Sequence, residues 1–132
     1  MKLSGRRILL VEDDVSLARM LERLLLMEDA HVSHVADGQS ALGALGTGAR
    51  FDLLIVDLLL PDMSGWDVLD GLAALGSGQP RPVVIVLTAS GDPEEPRRAL
   101  LRGVRYLPKP FTAAALMDLA IDQPDASEVD DA

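Results

Sequence analysis

Residues 52–65 read Asp-Leu-Leu-Ile-Val-Asp-Leu-Leu-Leu-Pro-Asp-Met-Ser-Gly. Leu53 to Val56 is apolar without interruption. A strand of that kind is covered on both faces, as in a parallel sheet flanked by helices. The run ends on an acid, Asp57, and a loop from Leu60 to Gly65 follows it. Working outward, the same design recurs. Ile8-Leu9-Leu10-Val11 leads into Glu12-Asp13-Asp14, Val83 to Leu87 leads into Thr88, and Val104-Arg105-Tyr106-Leu107-Pro108 leads into Lys109. If these runs are neighbouring parallel strands, three acids, a hydroxyl and an amine meet beyond the carboxyl ends of one sheet. Ligands of open α/β sheets bind in that crevice.

The segments between the strands carry helix patterns. Leu17, Met20, Leu21, Leu24 and Leu25 recur with the spacing of one helix face. Val32 and Val35 mark a second strand, and Asp37 is placed to cap a helix through Ala41, Leu42 and Leu45. A third helix is expected from about Trp66 to Leu75. The breaker cluster Gly76-Ser77-Gly78-Gln79-Pro80 follows it. The fourth helix contains Arg97 to Arg102. Asp92 and Pro93 resemble a helix start, but Pro96 would then remove an intrahelical N–H. The expected start is therefore Pro96 or Arg97, after a looser segment over 91–95. The last helix begins near Thr112 and stops before Pro124. The fold class is thus α/β: a βα unit repeated five times, with helices on both faces of a doubly wound parallel sheet.

At 132 residues, 48% of them apolar, the chain suits one folded domain. Residues 1–123 are assigned to it, and the acid-rich stretch 124–132 to a disordered tail. A net charge of −9 argues against a general nucleic-acid surface. No apolar run is long enough for membrane insertion and no signal-peptide pattern opens the chain, so a cytoplasmic location is expected. With no cysteine, thiolate metal sites and disulfides are excluded.

Carboxylates crowded at one sheet edge repel one another, by roughly 4 kcal/mol for a pair 4 Å apart at an effective dielectric of 20. A proton or a cation must offset that cost. Oxygen donors without His or Cys favour a hard ion such as Mg²⁺. Asp57 is the candidate nucleophile, since a carboxylate attacking phosphorus gives an acyl phosphate. Lys109 stands out because the chain has only two lysines, Lys2 and Lys109, among its 12 basic residues. A compact ammonium suits a crowded phosphoryl pocket better than a planar guanidinium. His31 and His34 are read as surface histidines, and Trp66 as packing at the start of its helix. Met117 and Ile121 form a second apolar stripe on the last helix.

Together, Glu12-Asp13-Asp14, Asp57 with the loop to Gly65, Thr88-Ala89 and Tyr106-Leu107-Pro108-Lys109-Pro110-Phe111 resemble the response-regulator receiver domain, in the order found in that family, from about Arg7 to Ile121. The resemblance implies strand order 2-1-3-4-5. It implies Mg²⁺ held by Asp13, Asp57 and the backbone carbonyl of Leu59, with Glu12 acting through water. It also implies phosphorylation of Asp57 assisted by Lys109 and Thr88, a cis Lys109–Pro110 peptide, and a Thr88/Tyr106 switch. A chain of this kind is not an enzyme acting on other substrates; it catalyses only its own phosphoryl transfer and self-dephosphorylation. Its partners would be a sensor histidine kinase or phosphotransfer protein and an unknown downstream protein, with dimerisation open.

Departures bear on output. Val104-Arg105 stands before Tyr106 where the transcription-factor branch has acids, and the last helix lacks that branch's arginines. No DNA-binding segment is expected within the chain. Among alternatives, a flavodoxin-like binder needs a hydroxyl- and glycine-rich phosphate loop where Glu12-Asp13-Asp14 stands. A haloacid-dehalogenase-type phosphatase needs a second acid where Leu59 stands. A degenerate receiver, acting as a phosphorylation-independent interaction module, would have lost a pocket residue, and none is missing.

Overall fold

The computed structural model describes residues 2–76 and 80–121. Five strands, β1 (Arg7–Val11), β2 (His31–Val35), β3 (Leu53–Asp57), β4 (Val83–Thr88) and β5 (Arg105–Pro108), alternate with five helices. These are α1 (Val15–Met27), α2 (Gly38–Leu45), α3 (Gly65–Ala74), α4 (Glu94–Arg102) and α5 (Ala113–Ile121). The sheet is parallel throughout, in the order β2-β1-β3-β4-β5. The expected fold class and strand order are both observed.

Strand periodicity divides the core into two layers. Ile8, Leu10, Leu53, Ile55, Ile85, Leu87 and Leu107 face α1 and α5, where they meet Leu21, Leu25 and Leu116. The alternate residues Leu9, Val11, Leu54, Val56, Val84 and Val86 face the other side, with Ala41, Trp66, Val68, Leu69 and Ala99 of α2, α3 and α4. Each large side chain so buried stabilises the fold by about 1.5–3 kcal/mol. The uninterrupted apolar runs are therefore the central strands, filled on both faces.

Local chemistry sets the helix starts. Asp37 caps α2 through the Ser40 amide, as expected, and Asp14 caps α1 by accepting from the Ser16 and Leu17 amides, which the sequence reading did not anticipate. Ser64 and Asp67 form a reciprocal capping box at α3. The expectation for α4 is corrected: the helix starts at Glu94, not Pro96 or Arg97, with Pro93 already in helical dihedrals. Pro96 thus falls third in the helix. In the first turn a missing N–H removes no intrahelical bond, so the proline is tolerated there. Asp92 accepts from the Glu94 amide at 2.9 Å and steadies the start. Gly103 closes α4 with φ 69°, a conformation few other residues adopt readily.

The apolar stripe expected on α5 is not free. Met117 and Ile121 are half-buried and pack against the same core as Leu116. The proposed tail, 124–132, lies outside the described residues.

Candidate functional site

The sheet brings the predicted residues to one edge. Glu12 and Asp13 follow β1, Asp57 ends β3, Thr88 ends β4 and Lys109 follows β5. Among the described residues, Glu12, Asp57 and Thr88 are the buried polar ones, at 0%, 3% and 0% exposure, whereas Asp13 is exposed.

Lys109 is the hub. Its Nζ lies 2.5 Å from Asp57 Oδ2 and 3.1 Å from Glu12 Oε1, bridging two buried carboxylates. Its peptide bond to Pro110 is cis, as the family resemblance implied. The other oxygens are held by backbone. Asp57 Oδ1 accepts from the Leu59 amide at 2.9 Å, and Glu12 Oε2 from the Asp14 amide at 3.1 Å. The Asp57 carboxylate is thereby held in one orientation by a backbone amide on one oxygen and an ammonium on the other. Leu59, whose carbonyl is the fourth metal-site candidate, lies in the turn two residues beyond Asp57 and bridges to Ser64. Gly65 lets that turn close behind Asp57. A Cβ there would stand 2.6 Å from the Asp57 carbonyl oxygen and 3.0 Å from Leu58 Cα.

Burial pushes the Glu12 carboxyl up to about 7, and the nearby Asp57 charge adds to the rise against the opposing bonds from Asp14 and Lys109. Burial works against the Lys109 ammonium, yet its bonds to Asp57 and Glu12 outweigh that and hold its pKa above the ordinary value. One ammonium faces three carboxyl groups, those of Glu12, Asp13 and Asp57. Glu12, Asp13 and Asp57 each present a carboxylate oxygen within 4.8 Å of the others. An all-oxygen donor set with surplus negative charge fits a hard divalent ion of the Mg²⁺ type.

Thr88 is engaged by the loop and helix that follow it. Its hydroxyl donates to Glu95 Oε1 at 3.0 Å and accepts from the Ser90 amide at 3.0 Å. Tyr106 is half-buried among the residues beneath α4. Burial raises its pKa, and the charges of Glu95 and Asp92 raise it further.

Several contributors escaped the sequence reading. His34, read as a surface residue, is half-buried, and its Nε2 lies 2.8 Å from the Glu12 carbonyl. Its place on β2, whose register sets it beside Leu10, is the only signal that pointed there. Asp62 accepts from the Gly38 and Gln39 amides at 2.8 and 2.9 Å, tying the loop after β3 to the start of α2; these bonds lower its pKa. Trp66 packs at the start of α3 as expected, and also receives Arg98 and Arg102 of α4 at 4.8 and 5.3 Å from its ring centroid. Arg102 adds an ion pair to Asp70 at 2.9 Å.

A family model described as the response regulator receiver domain matches residues 8–121. The chain belongs to that family. This receiver is similar to the probable transcriptional regulatory protein SilR of Salmonella typhimurium, 38% identical over 112 residues, covering 84% of this chain and 47% of that protein. It is also similar to the response regulator RppA of Synechocystis, 39% identical over 113 residues, with 84% and 47% covered. The receiver thus spans about half the length of these curated relatives. Among solved structures it resembles a CheY-like receiver domain protein of Methanospirillum hungatei, with a TM-score of 0.77, 28% identity, and coverage of 87% of this chain and 90% of that one. It also resembles the receiver domain of the sensor histidine kinase PA1611 of Pseudomonas aeruginosa, with a TM-score of 0.74, 32% identity, and 86% and 93% covered. That structure has a magnesium ion coordinated in its active-site cleft. Among the described residues of the present receiver, no helix is long and apolar enough to cross a membrane.

Proposed function

We propose that this receiver takes a phosphoryl group from a phosphohistidine of a sensor kinase or phosphotransfer protein onto Asp57. The observation that carries the reading is the Lys109 ammonium bridging buried Asp57 and Glu12 at 2.5 and 3.1 Å. A merely structural acid at a strand end has no need of a buried amine and two further acids.

In the transfer, a lone pair of an Asp57 carboxylate oxygen forms the new bond to phosphorus. The P–N bond breaks, and its electron pair stays on the imidazole nitrogen, giving an aspartyl phosphate and a histidine ready to take up a proton. Charge develops on the equatorial oxygens, so catalysis is mainly positioning and counter-charge. Lys109 moves its ammonium from the carboxylate to one phosphoryl oxygen, Thr88 donates to another, and the amides after Asp57 orient the group. Asp13, Asp57 and the Leu59 carbonyl would hold Mg²⁺, with Glu12 acting through water. The ion would neutralise the surplus charge that otherwise repels a phosphodonor.

The chain acts chemically only on itself, through its own phosphorylation and hydrolysis. Thr88 and Tyr106 pass the change to a downstream protein in the cytoplasm. A phosphorylation-independent module would not require an intact Lys109–Asp57–Glu12 triad.

Incubation with acetyl phosphate and Mg²⁺ should raise the intact mass by one phosphoryl group. Chelator or Asp57→Asn should abolish the rise. Equal labelling of Asp57→Asn would overturn the assignment.

A further inference from the structure

The Thr88 hydroxyl has one proton to give, because a hydroxyl is a single donor. In this structure Glu95 Oε1 takes it at 3.0 Å, while the Ser90 amide fills an acceptor position on the same oxygen at 3.0 Å. A phosphoryl oxygen is acceptor-only and needs that same proton. The two bonds are mutually exclusive.

The surrounding loop ties this choice to α4. Side-chain oxygens at alternate positions each accept the amide two residues on: Thr88 from Ser90, Ser90 from Asp92, and Asp92 from Glu94. Glu95 then closes the chain of bonds back onto Thr88. Rotation of the Thr88 hydroxyl away from Glu95 thus removes a side-chain bond by which α4 returns to β4. On its far side α4 rests on α3 through Arg98 and Arg102 over Trp66 and through Arg102 to Asp70. Tyr106 lies on the same flank, where the Glu95 and Asp92 charges reach it.

We infer that Glu95 is a latch on Thr88: it holds the hydroxyl proton in the unphosphorylated protein, must be displaced when a phosphoryl group on Asp57 claims that proton, and thereby couples phosphorylation to the position of α4. The inference rests on the phosphoacceptor reading of Asp57 and adds a positioning residue that opposes the switch. The alternative is that Glu95 only stabilises the helix N-terminus as any first-turn acid does. Glu94 offers the control, since it carries the same charge in the same turn and its side chain is exposed.

Two measurements test the latch. Three-bond couplings to the Thr88 methyl group should report a single side-chain rotamer in the unphosphorylated wild type and in Glu94→Ala, and rotamer averaging in Glu95→Ala. Titration with beryllofluoride in Mg²⁺, followed by calorimetry, should show Glu95→Ala binding about three- to tenfold tighter than wild type, the scale of losing one ordinary, half-exposed competing hydrogen bond. In a Thr88→Val background the same Glu95→Ala change should leave the affinity unaltered. A gain that persists without the hydroxyl, or an equal gain in Glu94→Ala, would reduce the effect to removal of a nearby charge and overturn the latch. Rotamer averaging in the wild type would overturn it as well. A locked rotamer in a wild type that takes neither beryllofluoride nor a phosphoryl group from acetyl phosphate would instead overturn the phosphoacceptor reading, and the switch role with it.

Discussion

Two regions at the edge of the sheet are built to opposite specifications. In the acid–lysine cluster, Asp57, Glu12 and Lys109 are buried or half-buried, and each carboxylate has one oxygen on the ammonium and the other on a backbone amide. On the side of α4, Thr88 is held by a side chain on a nine-residue helix that buries only Ala99 and exposes Leu100 and Leu101 at 79% and 77%. The first region spends its contacts on fixing atoms in place. The second has few apolar contacts to resist displacement, and elements of low local stability are the ones that move in switching. The proposed function needs both: a rigid site for phosphoryl transfer and a loosely held helix to respond.

The strongest way to break this contrast is at Lys109. Lys109→Met should slow phosphorylation by acetyl phosphate by roughly 10²- to 10³-fold, the usual consequence of deleting one counter-charge from a developing oxyanion. Initial rates from intact mass would measure it. A rate within threefold of wild type would mean the bridge is structural.

Next comes the wall behind Asp57. Gly65→Ala places a Cβ 2.6 Å from a backbone oxygen that no rotamer change can move. The fold should lose about 1–3 kcal/mol, in line with overpacking of a tight site, read as a lower midpoint in urea. An unchanged midpoint would show the pocket side to be softer than its contacts imply.

The smallest effect belongs to the α4 flank. Arg98 and Arg102 are placed over an aromatic ring, an arrangement worth about 0.5–1 kcal/mol at exposed sites. The Arg102–Asp70 pair is partly solvated, with Asp70 mostly exposed, and adds little. Replacing Arg98 alone by alanine should therefore lower stability by no more than about 1 kcal/mol, while changing Trp66 fluorescence, since one cation leaves its ring. A loss as large as that for Gly65→Ala would show α4 to be anchored rather than poised.

The success and failure of the sequence reading divide along the same line. The central strands were legible because a residue buried on both faces must be apolar at every position, and Leu53 to Val56 and Val83 to Leu87 satisfy that without help from the rest of the chain. Asp37 was legible as a cap because its partner amide is three residues away. The start of α4 was not. Pro96 argues against a helix by local rules, but one step of register moves it into the turn where its missing N–H removes no bond. His34 and Glu95 escaped for a different reason, since neither carries a motif and each is defined only by what folding sets beside it.

The sequence by itself therefore determined the parallel sheet and the set of groups at its edge, because strand burial and turn chemistry act between residues near in the chain. The tertiary structure alone decided how those groups are paired. Lys109 meets Glu12 across 97 positions of sequence, and whether a hydroxyl proton points to phosphorus or to Glu95 depends on the packing of α4. Hydrogen bonds are short and directional, so their partners are settled by distances and angles between elements, and residue order does not contain those.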